Sequence, residues 1–317
     1  MSGSSREVSP RSGMRLVPGG EFTMGSERFY PEEAPSRRVR VDAFLMDEAP
    51  VTNAAFAAFV AATSYVTVAE KPVLAQDYPG LDPELAIAGS AVFDAGRSAG
   101  ASGRTPWWQF RPGACWHHPW GAQSGLDGLE AHPVVHIAHA DALAYADWVG
   151  KSLPTEAQWE FAARGGLEDA DFAWGDTLAP AGVMLANYWQ GPFPHLNECL
   201  DGWERTSPVR SYAANAYGIF DLIGNVWEWT EDWWSLPSVP GVVAQGSCCA
   251  ARDRPGAAER DSLDPTAATR VPRKVIKGGS FLCAANYCQR YRPAARHAQA
   301  VDSPTEHIGF RCVASLA

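Results

Sequence analysis

Two cysteines near the C-terminus, Cys283 and Cys288, stand five residues apart in KGGSFLCAANYCQRYRPAAR. A thiolate is both a nucleophile and a soft metal ligand. A zinc site needs about four ligands of Cys or His type, commonly as two close pairs. The other close cysteine pair, Cys248-Cys249, is adjacent in sequence and makes an awkward chelate. Two sulfurs alone suit a soft ion that accepts few ligands, and copper(I) is the usual biological example. By spacing alone, two simpler readings stand beside a metal: a pair of buried reduced thiols, or a disulfide that opens and closes.

The elements that must position these sulfurs are short. MRLVPGGEFTMGS reads as a strand, a turn at Pro18-Gly19-Gly20 and a second strand. RRVRVDAFLMDEAPVT begins strand-like. Thr52 or Asn53 then caps a helix over NAAFAAFVAAT, with Phe56, Phe59 and Val60 on one face. A second helix is expected in ADALAYADWVG, burying Leu143, Tyr145, Trp148 and Val149. A third is TEAQWEFAARGG: Thr155 and Gln158 form a capping box, and Gly165-Gly166 ends it. Residues from about 70 to 131 show turns and tryptophans with little period, and no long helix is expected after Gly166. The stretch from about 235 to 270 reads as a surface excursion, and residues 1–13 as a disordered lead into one domain over 14–317.

Composition sets the frame. The chain has 317 residues, with 13 Trp, 29 Gly and 24 Pro, a mixture that implies irregular backbone stitched together by aromatic packing. A formal net charge of −10 argues against non-specific nucleic-acid binding and against an anionic membrane surface. The N-terminus lacks the apolar core of a secretory signal, and no apolar run reaches the ~18 residues of a membrane span. A cytoplasmic location is expected, where the seven cysteines stay reduced. The odd number also fits a complete disulfide framework poorly.

The segment GGSFLCxxxYCxRYRxAAR, followed by GFRC, resembles the C-terminal signature of the formylglycine-generating enzymes, or sulfatase-modifying factors. The resemblance runs through LVPGGEFTMGS, LPTEAQWEFAARGG, ANYWQGPFP and YGIFDLIGNVWEWTEDWW, and so covers nearly the whole chain from about Met14. LPTEAQWEFAARGG and GNVWEWT mark the broader superfamily; the cysteine pair with RYR and AAR marks the oxidase branch. The resemblance implies a single-domain α+β fold, C-type lectin-like and rich in irregular structure. It implies copper(I) held by Cys283 and Cys288, with a substrate thiolate as third donor. The implied substrate is a Cys-x-Pro-x-Arg segment of an unfolded or nascent sulfatase, whose cysteine becomes formylglycine at the expense of dioxygen and a thiol reductant. Acidic residues near the site are expected to meet the substrate arginine.

Ser280, Tyr287, Arg290 and Trp227 fall at positions matching active-site residues of that family. Ser280 and Tyr287 are expected to hydrogen-bond substrate or oxygen, Arg290 to orient a carbonyl or offset negative charge, and Trp227 to wall the site. Two loops resemble the family's calcium sites. One offers the side chains of Asn187 and Asp201 with the carbonyls of Tyr188 and Trp203. The other offers Asp221 and Glu228 with the carbonyls of Gly224 and Val226. Without the resemblance, these acids and amides read as turn caps.

The chain departs from the pattern at Ala284, Ala285 and Asn286, where many members carry His-x-Ser, so altered efficiency or substrate preference is expected. Cys312 is expected to be a buried free thiol, because positions matching the disulfides of secreted members include Ala146, Ala163 and Pro293. Cys115, Cys199, Cys248 and Cys249 receive no role. His132, His136 and His139, and the adjacent His117 and His118, are expected to be hydrogen-bonded rather than iron ligands: Pro133 and Val134-Val135 break any helical chelate. Two other readings stay open, a non-catalytic lectin-like binding module and an oxidase acting on a different thiol.

Overall fold

The computed structural model describes residues 12–73, 78, 86–95, 107–236, 257–267 and 270–316. Most of the expected disordered lead, and much of the expected surface excursion with Cys248 and Cys249, lie outside the described residues.

Thr52 caps helix α1 (Asn53–Thr63), its hydroxyl accepting the Ala55 N–H at 3.2 Å. Phe56 and Phe59 are buried and Val60 packs beside them, and the helix ends at Ser64 in the left-handed region. Helix α2 (His139–Trp148) buries Tyr145 as expected, but turns further onto its alanines than expected and leaves Trp148 outside. Ala142, Tyr145 and Ala146 are buried, Leu143 and Val149 are half-buried, and Trp148 is 42% exposed. Small alanines face inward, and the large indole leans over the Phe59 ring at 5.5 Å instead of entering the core. Helix α3 (Glu156–Arg164) has the expected ends. Thr155 and Gln158 exchange side-chain-to-backbone hydrogen bonds at 3.1 and 2.9 Å, and Gly165 stops the helix at φ +57°.

Strands β1 (Met14–Val17) and β2 (Gly20–Met24) flank the expected Pro-Gly-Gly turn but do not pair with each other. β1 joins β4 (Phe44–Asp47) and β11 (Val313–Ser315) in the order β1-β4-β11. β2 pairs with β3 (Arg37–Val41). The region read as turns and tryptophans holds a hairpin-like pair, β5 (Gly89–Phe93) and β6 (Trp108–Pro112). β6 shows no alternation of buried and exposed positions, which hid it from a period-based reading.

The sheet that bears the site is built from β7 (Trp227–Trp233), β8 (Arg273–Lys277), β9 (Arg296–Ala300) and β10 (Ile308–Gly309), in the order β10-β7-β8-β9. β10 and β7 run parallel, and the other pairs are antiparallel. α3 packs on one side of this sheet through the fully buried Trp159, whose indole N–H donates to Glu228 at 2.8 Å. Arg311 completes that buried group, holding both Glu228 oxygens at 2.7 Å. Lys277 and Arg164 likewise close on Glu160, at 3.0 and 2.8 Å. The Glu, Trp and Arg of the broad superfamily motifs are therefore structural here: each buried charge is paired, as burial demands.

Among the described residues, no helix is long and apolar enough to cross a membrane. The α+β, single-domain architecture with much irregular backbone is the fold class the sequence resemblance implied.

Candidate active site

β8 ends in Gly278-Gly279, and both glycines have positive φ. At Gly279 a Cβ would lie 2.9 Å from the Arg290 carbonyl oxygen, so the backbone passes under the returning chain as only glycine allows. The loop that follows carries Ser280, Cys283, Tyr287, Cys288 and Arg290. All five, with Trp227 from the start of β7, line one cleft of about 320 Å³. The structure thus brings together every residue assigned to the catalytic group.

Cys283 is 2% exposed, and its sulfur lies 3.3 Å from that of the half-buried Cys288. A disulfide would bring them to ~2.05 Å, so these are free thiols in contact. The two differ in charge. Burial pushes the Cys283 thiol up, while the S–H it donates holds Cys288 down at about 6, helped by Arg290. One thiol and one thiolate therefore share a proton at neutral pH. Arg290 Nη1 stands 3.9 Å from the Cys288 sulfur. Glu32 fixes the rest of its guanidinium, accepting from Nε at 3.1 Å and from Nη2, and Tyr30 stacks beneath at 3.8 Å.

Ser280 is fully buried; its N–H points at the Cys283 sulfur at 3.4 Å. Tyr287 is 49% exposed and stacks on Phe193 at 4.4 Å, with Trp107 edge-on at 5.5 Å. Burial first, then the nearby sulfurs, raise the Tyr287 phenol, so it stays a hydrogen-bond donor. These rings form an aromatic wall open to solvent. Trp107, Trp108, Phe193, His297, Gln299, Thr305 and His307 complete the cleft and were not singled out in the sequence. β9 supplies His297 and Gln299 at alternate positions, a spacing of two that a longer strand would have made legible. The described lining contains no carboxylate, and Glu32 is already paired with Arg290, so no acid in the cleft stands ready for a substrate arginine.

The departure at residues 284–286 has a local reason. Ala284 is fully buried in a cluster with Trp189, Phe193, Phe281 and Leu282. Asn286 grips both the N–H and the carbonyl of Phe193 at 3.2 Å, and so holds the aromatic wall in place.

The donor set of the cysteine pair fits a soft ion of low coordination: two sulfurs, one ionised, facing a cleft. Among the described residues no group of three or more His, Cys, Asp or Glu could hold a metal. The two loops that resemble calcium sites are already hydrogen-bonded in part. Asp201 accepts from the N–H groups of Tyr188 at 3.2 Å and Trp203 at 2.9 Å. The Gln190 amide donates both to Asp201, at 2.8 Å, and to the Tyr188 carbonyl, and so engages two of the oxygens that the resemblance assigns to a cation. Burial raises Asp201 to about 6. Asn187, in the same loop, donates to the Arg205 carbonyl at 2.7 Å. In the second loop Asp221 Oδ1 is buried without a partner, the kind of oxygen a cation satisfies. Glu228 there is already engaged by Arg311 and Trp159. Gly224 makes this crossing possible: at φ +70° its missing Cβ leaves room for the Asn187 carbonyl, which a side chain would meet at 2.1 Å.

The remaining candidates are accounted for by packing. His132 pairs with Thr206 at 3.0 Å, His136 with Ser90 and the Pro119 carbonyl at 2.8 Å, and His139 with the Thr230 carbonyl at 3.2 Å. Burial lowers His136 and His139 to about 4, so both are neutral structural residues. Cys312 is a fully buried free thiol. Cys115 is buried beside His117, and burial pushes its thiol up; Cys199 is half-exposed.

Fold and site together define a thiol-based centre: a polarised cysteine pair in an open aromatic cleft on a largely irregular α+β scaffold. Residues 3–316 match the family described as "Sulfatase-modifying factor enzyme 1-like domain", and the chain belongs to that family. It is 50% identical to the "Formylglycine-generating enzyme" of Mycobacterium tuberculosis, over 94% of this chain and 96% of that one. It is 44% identical to the protein of the same name from Streptomyces coelicolor, over 98% of this chain and 91% of that one. Among solved structures, PvdO from Pseudomonas aeruginosa shares the fold, with a TM-score of 0.57 and 24% identity over 96% of this chain and 94% of that one.

Proposed function

We propose that this protein converts the cysteine of a Cys-x-Pro-x-Arg segment in a sulfatase polypeptide to formylglycine, with copper(I) bound by Cys283 and Cys288. The observation that carries this reading is the polarised cysteine pair facing an open cleft, in a chain whose relatives bear the name formylglycine-generating enzyme. Copper(I), when bound, supplies one-electron chemistry with dioxygen. In the overall reaction CH₂SH becomes CHO; dioxygen and two thiol reductant equivalents are consumed, and sulfide, water and a disulfide leave.

The chain's own residues prepare the encounter. The aromatic wall of Trp107, Phe193 and Tyr287 offers an extended peptide an apolar surface beside the sulfurs. Arg290, held by Glu32 and Tyr30, sets a fixed positive charge against the Cys288 thiolate. Ser280 and the Tyr287 phenol hold hydrogen-bond donors at the cleft, and Trp227 closes its floor against water. Structural calcium is proposed at both loops: through Asn187, Asp201, Tyr188 and Trp203, where it would displace the Gln190 amide, and through Asp221, Gly224 and Val226, where the unpartnered Asp221 Oδ1 favours a cation, while Glu228, the other acid the resemblance implies, is already held by Arg311 and Trp159. A cytoplasmic setting agrees with the free thiols the chemistry requires. A non-catalytic binding module has no need of a polarised thiol pair, which places that reading second.

The test uses reduced, copper(I)-loaded protein and a Cys-x-Pro-x-Arg peptide, read by mass spectrometry. The expected product carries CHO where the peptide had CH₂SH. Cys288→Ser retains the wild-type circular dichroism spectrum and forms no aldehyde. A peptide left unchanged by loaded wild-type protein overturns the proposal.

A further inference from the structure

His307 stands in the cleft without a part in the reading above. It lies at the head of β10, where its carbonyl accepts the Trp227 N–H at 2.8 Å, and its ring meets the edge of Trp108 at 4.7 Å. Its Nδ1 is 3.3 Å from the hydroxyl of Ser280. The surroundings of the ring push its pKa down, burial first and His297 next, so the imidazole is neutral at pH 7.

A serine hydroxyl has one hydrogen to give and two lone pairs to fill. The Leu282 N–H, at 3.3 Å from Ser280 Oγ, takes one lone pair. Two arrangements remain. If Ser280 donates to Nδ1, it has no hydrogen left for the cleft. If Nδ1–H donates to Ser280, both lone pairs are filled and the hydroxyl hydrogen must turn elsewhere. The negative charge of the site sits on the nearby sulfur pair, which favours donors aimed toward it. We infer that His307 is a positioning residue in its Nδ1–H tautomer: it donates to Ser280 and so commits the Ser280 hydroxyl to donate into the cleft, toward sulfur or the substrate atoms beside it. This rests on the proposed reaction for its consequence, though not for the hydrogen bond itself.

Two measurements test it. In metal-free protein with ¹⁵N-labelled histidine, the His307 Nδ1 resonance is expected in the protonated range at neutral pH and to shift in Ser280→Ala. An unprotonated Nδ1, or one indifferent to Ser280→Ala, overturns the inference whether or not the protein oxidises peptides. In the peptide assay, His307→Asn, whose amide N–H can replace Nδ1–H, keeps most of the turnover. His307→Phe lowers kcat by about 100-fold with KM little changed. Adding Ser280→Ala to His307→Phe costs little more, because one hydrogen-bonded unit is already lost. Equal activity of the Phe and Asn variants, or fully additive losses, counts against it. Failure of wild-type protein to make aldehyde counts instead against the proposed function.

Discussion

A single proton divides the labour between the two sulfurs. Cys283 keeps it because burial penalises a charge there, and Cys288 is ionised because that proton is offered to it and Arg290 stands behind it. A thiol held down at about 6 is thiolate above that pH and loses its charge as pH falls through it. In metal-free reduced protein, iodoacetamide should therefore modify Cys288 before Cys283. Its rate at about pH 5 should be about a tenth of that at about pH 7, read by peptide mapping. Arg290→Met should move the half-reactivity point upward. A Cys288 rate still climbing steeply beyond about pH 8 would contradict the assignment.

Elements place these residues through ends and turns rather than through long regular runs. α2 shows how. Asp141, in its first turn, accepts the N–H of Ala138 at 2.9 Å and of Val68 at 3.0 Å, and the phenol of Tyr65 at 3.1 Å. Burial nevertheless raises its carboxyl to about 6. The sign follows from linkage. The folded carboxyl keeps its proton while the unfolded one loses it near the ordinary value of 3.8, so the contribution to stability is fully present below that pH and is lost as pH rises toward about 6. The loss is about 3 kcal/mol. Urea denaturation should show a flatter stability profile between about pH 4 and pH 6 for Asp141→Asn than for the wild type. Identical slopes would mean that the native carboxyl titrates normally.

At the scale of the whole molecule, the loop that carries the cysteine pair is braced by contacts between the two ends of the chain. Arg292, 1% exposed, is gripped by both oxygens of Glu33, a partner 259 positions earlier, and its guanidinium lies 3.6 Å from the Phe29 ring. The neighbouring Glu32 holds Arg290 through a single oxygen, which accepts from both Nε and Nη2. Glu33→Ala would leave a buried charge without a partner, at a cost of about 3–5 kcal/mol in urea denaturation. Adding Arg292→Met should restore much of that loss, because the stranded charge is then gone. If Glu33→Ala is nearly neutral, the N-terminal segment does not brace the cleft.

By itself the sequence determined what is local or carried by residue type: the capped ends of α1 and α3, the family, and the cysteine pair with the serine, tyrosine and arginine around it. These are legible because a capping box, a Gly-Gly turn or a pair of thiols a few residues apart acts over a handful of positions. Tertiary structure alone decided the rest. It turned α2 largely onto its alanines, sent β1 and β2 to different sheets, and brought Trp107, Trp108 and Phe193 to sulfurs far away in the chain. It also chose which sulfur bears the charge. Burial and the approach of Arg290 depend on how distant segments pack, and no spacing along a chain encodes the local polarity in which a thiol gives up its proton.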